Sequence, residues 1–341
     1  MKNTVRYIVL ALLLVILAIG CEQYWRLFKH NISTNSQEQE LIYLLPNQTI
    51  DQLINIIQEK ATISSEQSLR FHCRLLKFSH TKAGCYAINP TEGDLAFIRR
   101  LRAGEQTPIS ITFNHIRTPQ QLAHRLSEQL MLDSASIADR LLSDSAMAQY
   151  GLNHYTSVCM FLPDTYEIYW TISPDQLFER MYQQYKNFWN TDRLQKARQL
   201  NLTPTEVATI ASIAEEETNK QFEYPIIAGL YINRLRRGMN LQACPTIKYA
   251  WQDFSLRRIL NKHLTIDSPY NTYKYAGLPP GPIRLPRAST LDAVLNYTPS
   301  NYLYMCASAE FNGTHHFSST YREHAQYARI YQKELNKRNI K

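Results

Sequence analysis

The chain has 341 residues, of which 44% are hydrophobic and 19% charged; that is enough apolar material for a buried core, excludes a peptide or a disordered tail, and suits about two domains. Lys and Arg outnumber Asp and Glu by 37 to 29, a formal charge of +8, which fits an anionic partner such as lipid headgroups, cell-wall polymer or nucleic acid. The excess is spread thinly, with no block of about five or six like charges, and the six cysteines lack the CxxC and paired-histidine spacings of a structural metal site, so no metal is expected.

From Tyr7 to Cys21 the sequence is uncharged and almost wholly aliphatic, which places this segment in a membrane. The run is short of the roughly 20 apolar residues that a bilayer core requires. Val5, a snorkelling Arg6 and the interfacial pair Tyr24 and Trp25 extend it, giving an uncleaved anchor over residues 1–30. A signal peptide is the alternative, because Ala18-Ile19-Gly20 sets small residues before Cys21, which such a reading would also let carry a lipid. Lys2 and Arg6 before the segment are matched by Arg26 and Lys29 after it, so charge leaves the orientation open.

Residues 31–39 are polar and small and read as a linker. A small α+β domain follows over residues 40–90: a strand at Leu41 to Leu45, a turn at Pro46-Asn47, a helix from Thr49 with Leu53, Ile54, Ile56 and Ile57 on its buried face, and a turn at Lys82 leading to a strand through Ile88. Within it Cys73 and Cys85 either bridge or remain free thiols. A larger α+β domain occupies residues 91–341. It opens with a helix through Leu95 to Leu101 stopped by Gly104 and an alternating strand from Ile109 to Phe113, is mostly helical to about Tyr249, turns loop-rich from Leu264 to Phe317, and closes on an amphipathic helix from Thr320.

The segment from Thr203 to Asn219 is the most informative. Thr203-Pro204-Thr205-Glu206 is a capping box with Pro at the first helical position, so a helix begins there. Val207, Ile210, Ala211 and Ala214 recur at helical spacing and mark a buried stripe. Glu217 continues that stripe along its apolar edge, Glu216 points toward solvent, and Glu215 lies on the opposite margin as a second candidate acid. A carboxyl at an apolar edge is desolvated, which favours its protonated form and suits proton donation to a glycosidic oxygen. From the acids alone, a solvated helix end carrying three glutamates is the favoured reading, and spacing does not overturn it.

Ala211-Ser212-Ile213-Ala214-Glu215-Glu216-Glu217-Thr218, then Ile232-Asn233-Arg234-Leu235 and Gly238-Met239-Asn240-Leu241-Gln242, resembles the core of the MltG (YceG-like) endolytic murein transglycosylases. Further motifs keep the family's order: Phe161-Leu162-Pro163-Asp164-Thr165-Tyr166 before the core, and after it Pro245-Thr246, Tyr270-Asn271-Thr272-Tyr273, Gly277-Leu278-Pro279-Pro280-Gly281-Pro282-Ile283, Tyr302-Leu303-Tyr304 and His315-His316-Phe317. The likeness spans roughly residues 40 to 335. Two positions depart from it. Cys244 stands where the family usually has an aspartate, and Arg284-Leu285-Pro286-Arg287-Ala288 replaces the commoner Asn-Pro-Gly turn.

The resemblance implies a membrane-anchored enzyme with its catalytic domain outside the cytoplasm, a LysM-like small domain at 40–90, and Glu217 as the catalytic residue. It implies a lytic transglycosylase that cuts the MurNAc-GlcNAc bond of nascent glycan strands, leaves 1,6-anhydro-MurNAc ends, and limits strand length beside peptidoglycan synthases. No cofactor is expected, because the substrate's own 6-hydroxyl is the nucleophile, and no nucleic-acid partner is expected. Asn233, Gln242, Thr246, Tyr270, Asn271, Thr272 and Tyr273 are candidate substrate contacts, with a structural hydrogen bond the competing role for each. His315 is either a second base or a structural histidine. A hydrolytic muramidase on the same scaffold and a non-enzymatic peptidoglycan-binding scaffold protein are the rival functions.

Overall fold

Helices in this chain begin where the sequence supplies an oxygen to cap them. In the computed structural model, which describes residues 10–22, 31–34, 38–90, 92–256 and 258–338, the hydroxyls of Thr49, Ser173, Thr203 and Thr320 each accept the third backbone N–H of a helix while a Gln or Glu three residues on returns a bond to the cap. The chain forms two compact units: residues 1–111 with 166–172, and residues 112–165 with 173–341.

The first unit contains α1 (residues 10–22), whose leucines and isoleucines are exposed. Among the described residues no helix is long and apolar enough to cross a membrane; the anchor expected over 1–30 lies partly outside the described residues, at 1–9 and 23–30. Two antiparallel ladders follow: β1 (Ile32–Thr34) with β3 (Ala61–Ile63), and β2 (Glu40–Leu44) with β4 (Gly84–Ile88), the latter setting Ile42 opposite Tyr86. Helices α2 (Ile50–Lys60), α3 (Glu66–Leu75) and α4 (Asp94–Ala103) close the core with Leu53, Ile57, Leu69, Phe97 and Ile98. A third pair, β5 (Ile109–Thr112) and β6 (Thr165–Ile168), ends the unit.

Two expectations about this unit change. Residues 32–34 are a strand rather than linker, because Ile32 is buried and Asn31 reaches the buried carboxylate of Asp94, its Nδ2 donating at 3.0 Å. Helix α4, read from sequence as the start of the larger domain, packs into the first core through Phe97, Ile98 and Leu101, so the division falls after Ile111. Cys73 and Cys85 are both buried free thiols, each pushed up to about 11 chiefly by burial.

The second unit is built from α5 (Pro119–Ser127), α6 (Ser134–Leu142), α7 (Asp144–Ala148), α8 (Pro174–Phe188), α9 (Thr191–Gln199), α10 (Pro204–Glu217), α11 (Tyr224–Arg236), α12 (Cys244–Trp251), α13 (Ala288–Leu295) and α14 (Tyr321–Lys337), with the hairpin β7 (Tyr304–Ala307) and β8 (His315–Ser318). Helix α10 is the axis of this core. Helices α9, α11, α12 and α13 pack around it, and every residue from Val207 to Glu215 is buried. The one-sided stripe expected from spacing is therefore an all-round burial, made possible by Ala208, Thr209 and Ser212, whose small side chains admit close neighbours. The two hydroxyls satisfy themselves locally, Thr209 on the Thr205 carbonyl and Ser212 on that of Thr209, and Ser212 also accepts the Ile283 N–H. The whole is mixed α+β, about half helical with small two-stranded sheets, as the sequence indicates; α13 is an α-helix inside the segment read as loop.

Candidate active site

Three glutamates end α10, and successive side chains on a helix diverge by about 100°, so each meets a different environment. Glu215 turns inward. One of its oxygens accepts the Arg287 backbone N–H at 2.7 Å, the Arg287 Nε at 3.3 Å and the Thr290 hydroxyl; the other lies 3.3 Å from Arg284 Nε. Glu216 does not point to solvent as its spacing suggests. Arg117 grips it through two bonds of 3.0 Å, and Arg284 adds a third at 3.1 Å, which draws the carboxylate into an arginine-lined wall.

Glu217 alone meets no arginine. Its Oε1 accepts a 2.7 Å hydrogen bond from the Tyr231 hydroxyl, carried on α11. Burial raises its proton affinity above that of an ordinary glutamate, and the Glu216 charge adds to the rise; the Tyr231 hydrogen bond, then the positive charges of His315 and Lys248, oppose it. Tyr231 is itself buried, and burial together with the Glu217 charge holds its phenol well above the usual range, so it remains a donor. The result is a carboxyl poised to hold a proton and, with the Tyr231 donor and the neighbouring His315 and Lys248, equipped to release it.

Glu217 lines an open cleft of about 580 Å³ with Thr218, Lys220, Ser308, Thr314 and His315. The polar wall suits a ligand rich in hydroxyl and amide groups. Among the described residues no group of His, Cys, Asp and Glu is arranged to hold a metal ion.

The other candidates from sequence divide by burial. Asn271 and Thr246 are fully buried and Thr272 nearly so. Asn271 donates to the carbonyls of Leu264 and Ile266 and accepts the N–H groups of Tyr273 and Lys274; Thr272 accepts the Ala243 N–H and meets the Thr246 hydroxyl at 2.8 Å. These three thus tie the loop after residue 264 to the start of α12. Asn233 donates to the carbonyls of Ser300 and Tyr302. Tyr270 is buried between Tyr155 and Tyr249, against a separate hollow of about 530 Å³. Gln242 is exposed at φ 49°. Tyr273 places its hydroxyl 3.1 Å from the Cys244 thiol, and both groups are close enough to Glu217 to feel its charge. Burial raises the Cys244 thiol, so the group standing at the usually acidic position is a neutral one.

Sequence reasoning missed Tyr231, Arg117, Lys248 and Glu223. None has a local signature, since each gains its meaning from a partner on another element. Arg284 and Arg287 carried a faint signal: two cations in a Pro-bounded loop answer the surplus of acid at the end of α10.

The model of the YceG-like family matches residues 42–330, and the chain belongs to that family. Among its relatives is the endolytic murein transglycosylase of Bacillus subtilis (strain 168), 26% identical over 325 residues covering 89% of this chain and 88% of that one. The endolytic murein transglycosylase of Streptococcus pneumoniae (D39) is 26% identical over 328 residues, but the match takes in only 58% of its length. The crystal structure of a yceG-like protein from Listeria monocytogenes superposes with a TM-score of 0.57 at 26% identity, over 85% of this chain and 99% of that one.

Proposed function

We propose that this protein is an endolytic lytic transglycosylase of peptidoglycan, with Glu217 as its single acid and base. The observation that carries the reading is the division of labour at the end of α10: Glu215 and Glu216 are engaged by arginines, whereas Glu217 is desolvated, holds only the Tyr231 hydrogen bond and lines the cleft. A hydrolytic glycosidase requires two carboxyl groups flanking the scissile bond. Here one is free.

One suffices if the substrate brings its own nucleophile. Glu217 gives its proton to the glycosidic oxygen as the C1–O bond breaks. The resulting carboxylate then takes the proton of the MurNAc 6-hydroxyl while that oxygen bonds to C1. Glu217 ends protonated as it began, the product end is a 1,6-anhydro sugar, and neither water nor a cofactor is consumed. Tyr273, half-buried beside Cys244, and the exposed Gln242 are read as the sugar contacts among the sequence candidates; the hydrogen bonds of Thr246, Asn271 and Thr272 suit a role in holding the loop that carries Tyr273, and those of Asn233 a role in holding the 300–302 segment.

The apolar, exposed side chains of residues 10–22 support a membrane anchor, with the catalytic unit outside the cytoplasm beside nascent strands and their synthases. The small-domain ladder β2–β4 with α2 and α3 is read as LysM-like. Uncrosslinked glycan strands incubated with wild type and with Glu217→Gln test the function. Mass spectrometry should find 1,6-anhydromuramic ends from the wild type, and a loss of about 10³-fold or more in the variant. Reducing ends would make the protein a muramidase, and binding without cutting by either would make it a scaffold.

A further inference from the structure

His315 enters the cleft with a partner of its own. Glu223, 1% exposed in the short helical turn Gln221–Glu223, accepts the His315 backbone N–H at 2.7 Å and lies 3.0 Å from its ring Nδ1. The Thr218 hydroxyl, immediately after Glu217, donates to the same carboxylate at 2.9 Å. Among the described residues the hydrogen bonds of the Glu223 carboxylate thus go to His315, through its ring and its backbone, and to Thr218, the residue next to Glu217. A buried carboxylate with two oxygens in such use fixes the imidazole's orientation and favours a proton on Nδ1. The other ring nitrogen, Nε2, has no partner among the described residues, and the side chain that bears it lines the cleft together with Glu217.

We propose that Glu223 and His315 form a charge-setting dyad for Glu217: Glu223 anchors the ring through Nδ1, and the imidazolium so held favours the carboxylate that Glu217 must become once it has protonated the leaving oxygen. His315 is thus a positioning residue that acts through Glu217, and the inference rests on Glu217 being the acid and base. Glu223 holds the ring; Glu216 and Glu217 from α10, Lys220 from the segment that follows and Tyr331 of α14 line the cleft with it, and Lys248 from α12 lies close enough to Glu217 to act on its charge.

The test reads the ring before it reads activity. Full-chain protein labelled with ¹⁵N-histidine, with His315→Gln to assign the resonance, is titrated as wild type, Glu217→Gln and Glu223→Gln. Each carboxylate removed should lower the His315 midpoint, by about half a pH unit or more for Glu217→Gln. An unmoved midpoint in Glu217→Gln overturns the dyad, and that comparison decides alone should loss of the buried Glu223 charge prevent folding. On glycan strands, His315→Gln should lose about ten- to a hundredfold in kcat/KM. Its decline at high pH should also move to higher pH, because Glu217 without the neighbouring cation holds its proton longer. A uniform loss with an unmoved profile would mean a merely structural ring. Linked titration in a wild type that cuts nothing would sink the lytic reading and keep the dyad; cutting without linkage would do the reverse.

Discussion

Glu217 differs from Glu215 and Glu216 in what its oxygens meet, and that difference is testable one atom at a time. Tyr231→Phe removes the hydroxyl and nothing else. A hydrogen bond to a charged group contributes about 1.5–3 kcal/mol, so kcat/KM should fall by about tenfold or more. The direction of the pH effect follows from the bond's role: Tyr231 lowers the proton affinity of Glu217, its loss raises it, and the high-pH limb of the rate profile should move upward. An unchanged limb, measured from pH 5 to 9 or so, would detach Tyr231 from catalysis. Arg284→Ala acts at the other two acids. It strips a buried cation from both Glu215 and Glu216 and should cost about 3–5 kcal/mol in denaturant unfolding. Spacing along α10 was enough to bring Glu217 to the apolar edge. It could not place Glu216, because Arg117 and Arg284 lie 99 and 68 residues away and only the folded chain brings them to it.

At the scale of elements, the site depends on how closely α11 is pressed to its neighbours, since α11 carries Tyr231. Gly229 on α11 has no room for a side chain: a Cβ there would meet the Thr298 carbonyl at 2.7 Å, backbone that cannot swing aside. Gly229→Ala should therefore destabilise the protein by about 1–3 kcal/mol and lower activity through displacement of Tyr231; stability equal to wild type would show that the 297–298 segment yields freely. The start of α10 was legible to the residue, because a capping box with Pro at the first position is a local signal. Its burial was not. Ala, Ser and Thr on the expected outer face look neutral in sequence, and only the elements that gather around α10 in the folded unit cover them. Helix α13 was hidden for a similar reason: it starts at Arg287-Ala288 without a side-chain cap, amid Pro, Tyr and Asn that favour loops.

For the whole molecule, the family match agrees with the reading that the end of α10 carries, and the local chemistry explains why one glutamate suffices. The formal charge of +8 and the exposed apolar α1 suggest how the enzyme would stay near its polymer. Removing residues 1–30 should abolish sedimentation with vesicles of bacterial lipid while leaving kcat/KM on soluble strands within about twofold; persistent sedimentation would assign membrane binding to another surface. The central claim is that no water enters the reaction, and digestion of uncrosslinked glycan strands in H₂¹⁸O followed by mass spectrometry of the new muramic ends tests it most directly. The account predicts unlabelled ends lighter by one water than a reducing sugar, formed by the wild type and not by Glu217→Gln; ends that carry ¹⁸O would contradict it, because they require water, rather than the substrate's 6-hydroxyl, to have attacked C1.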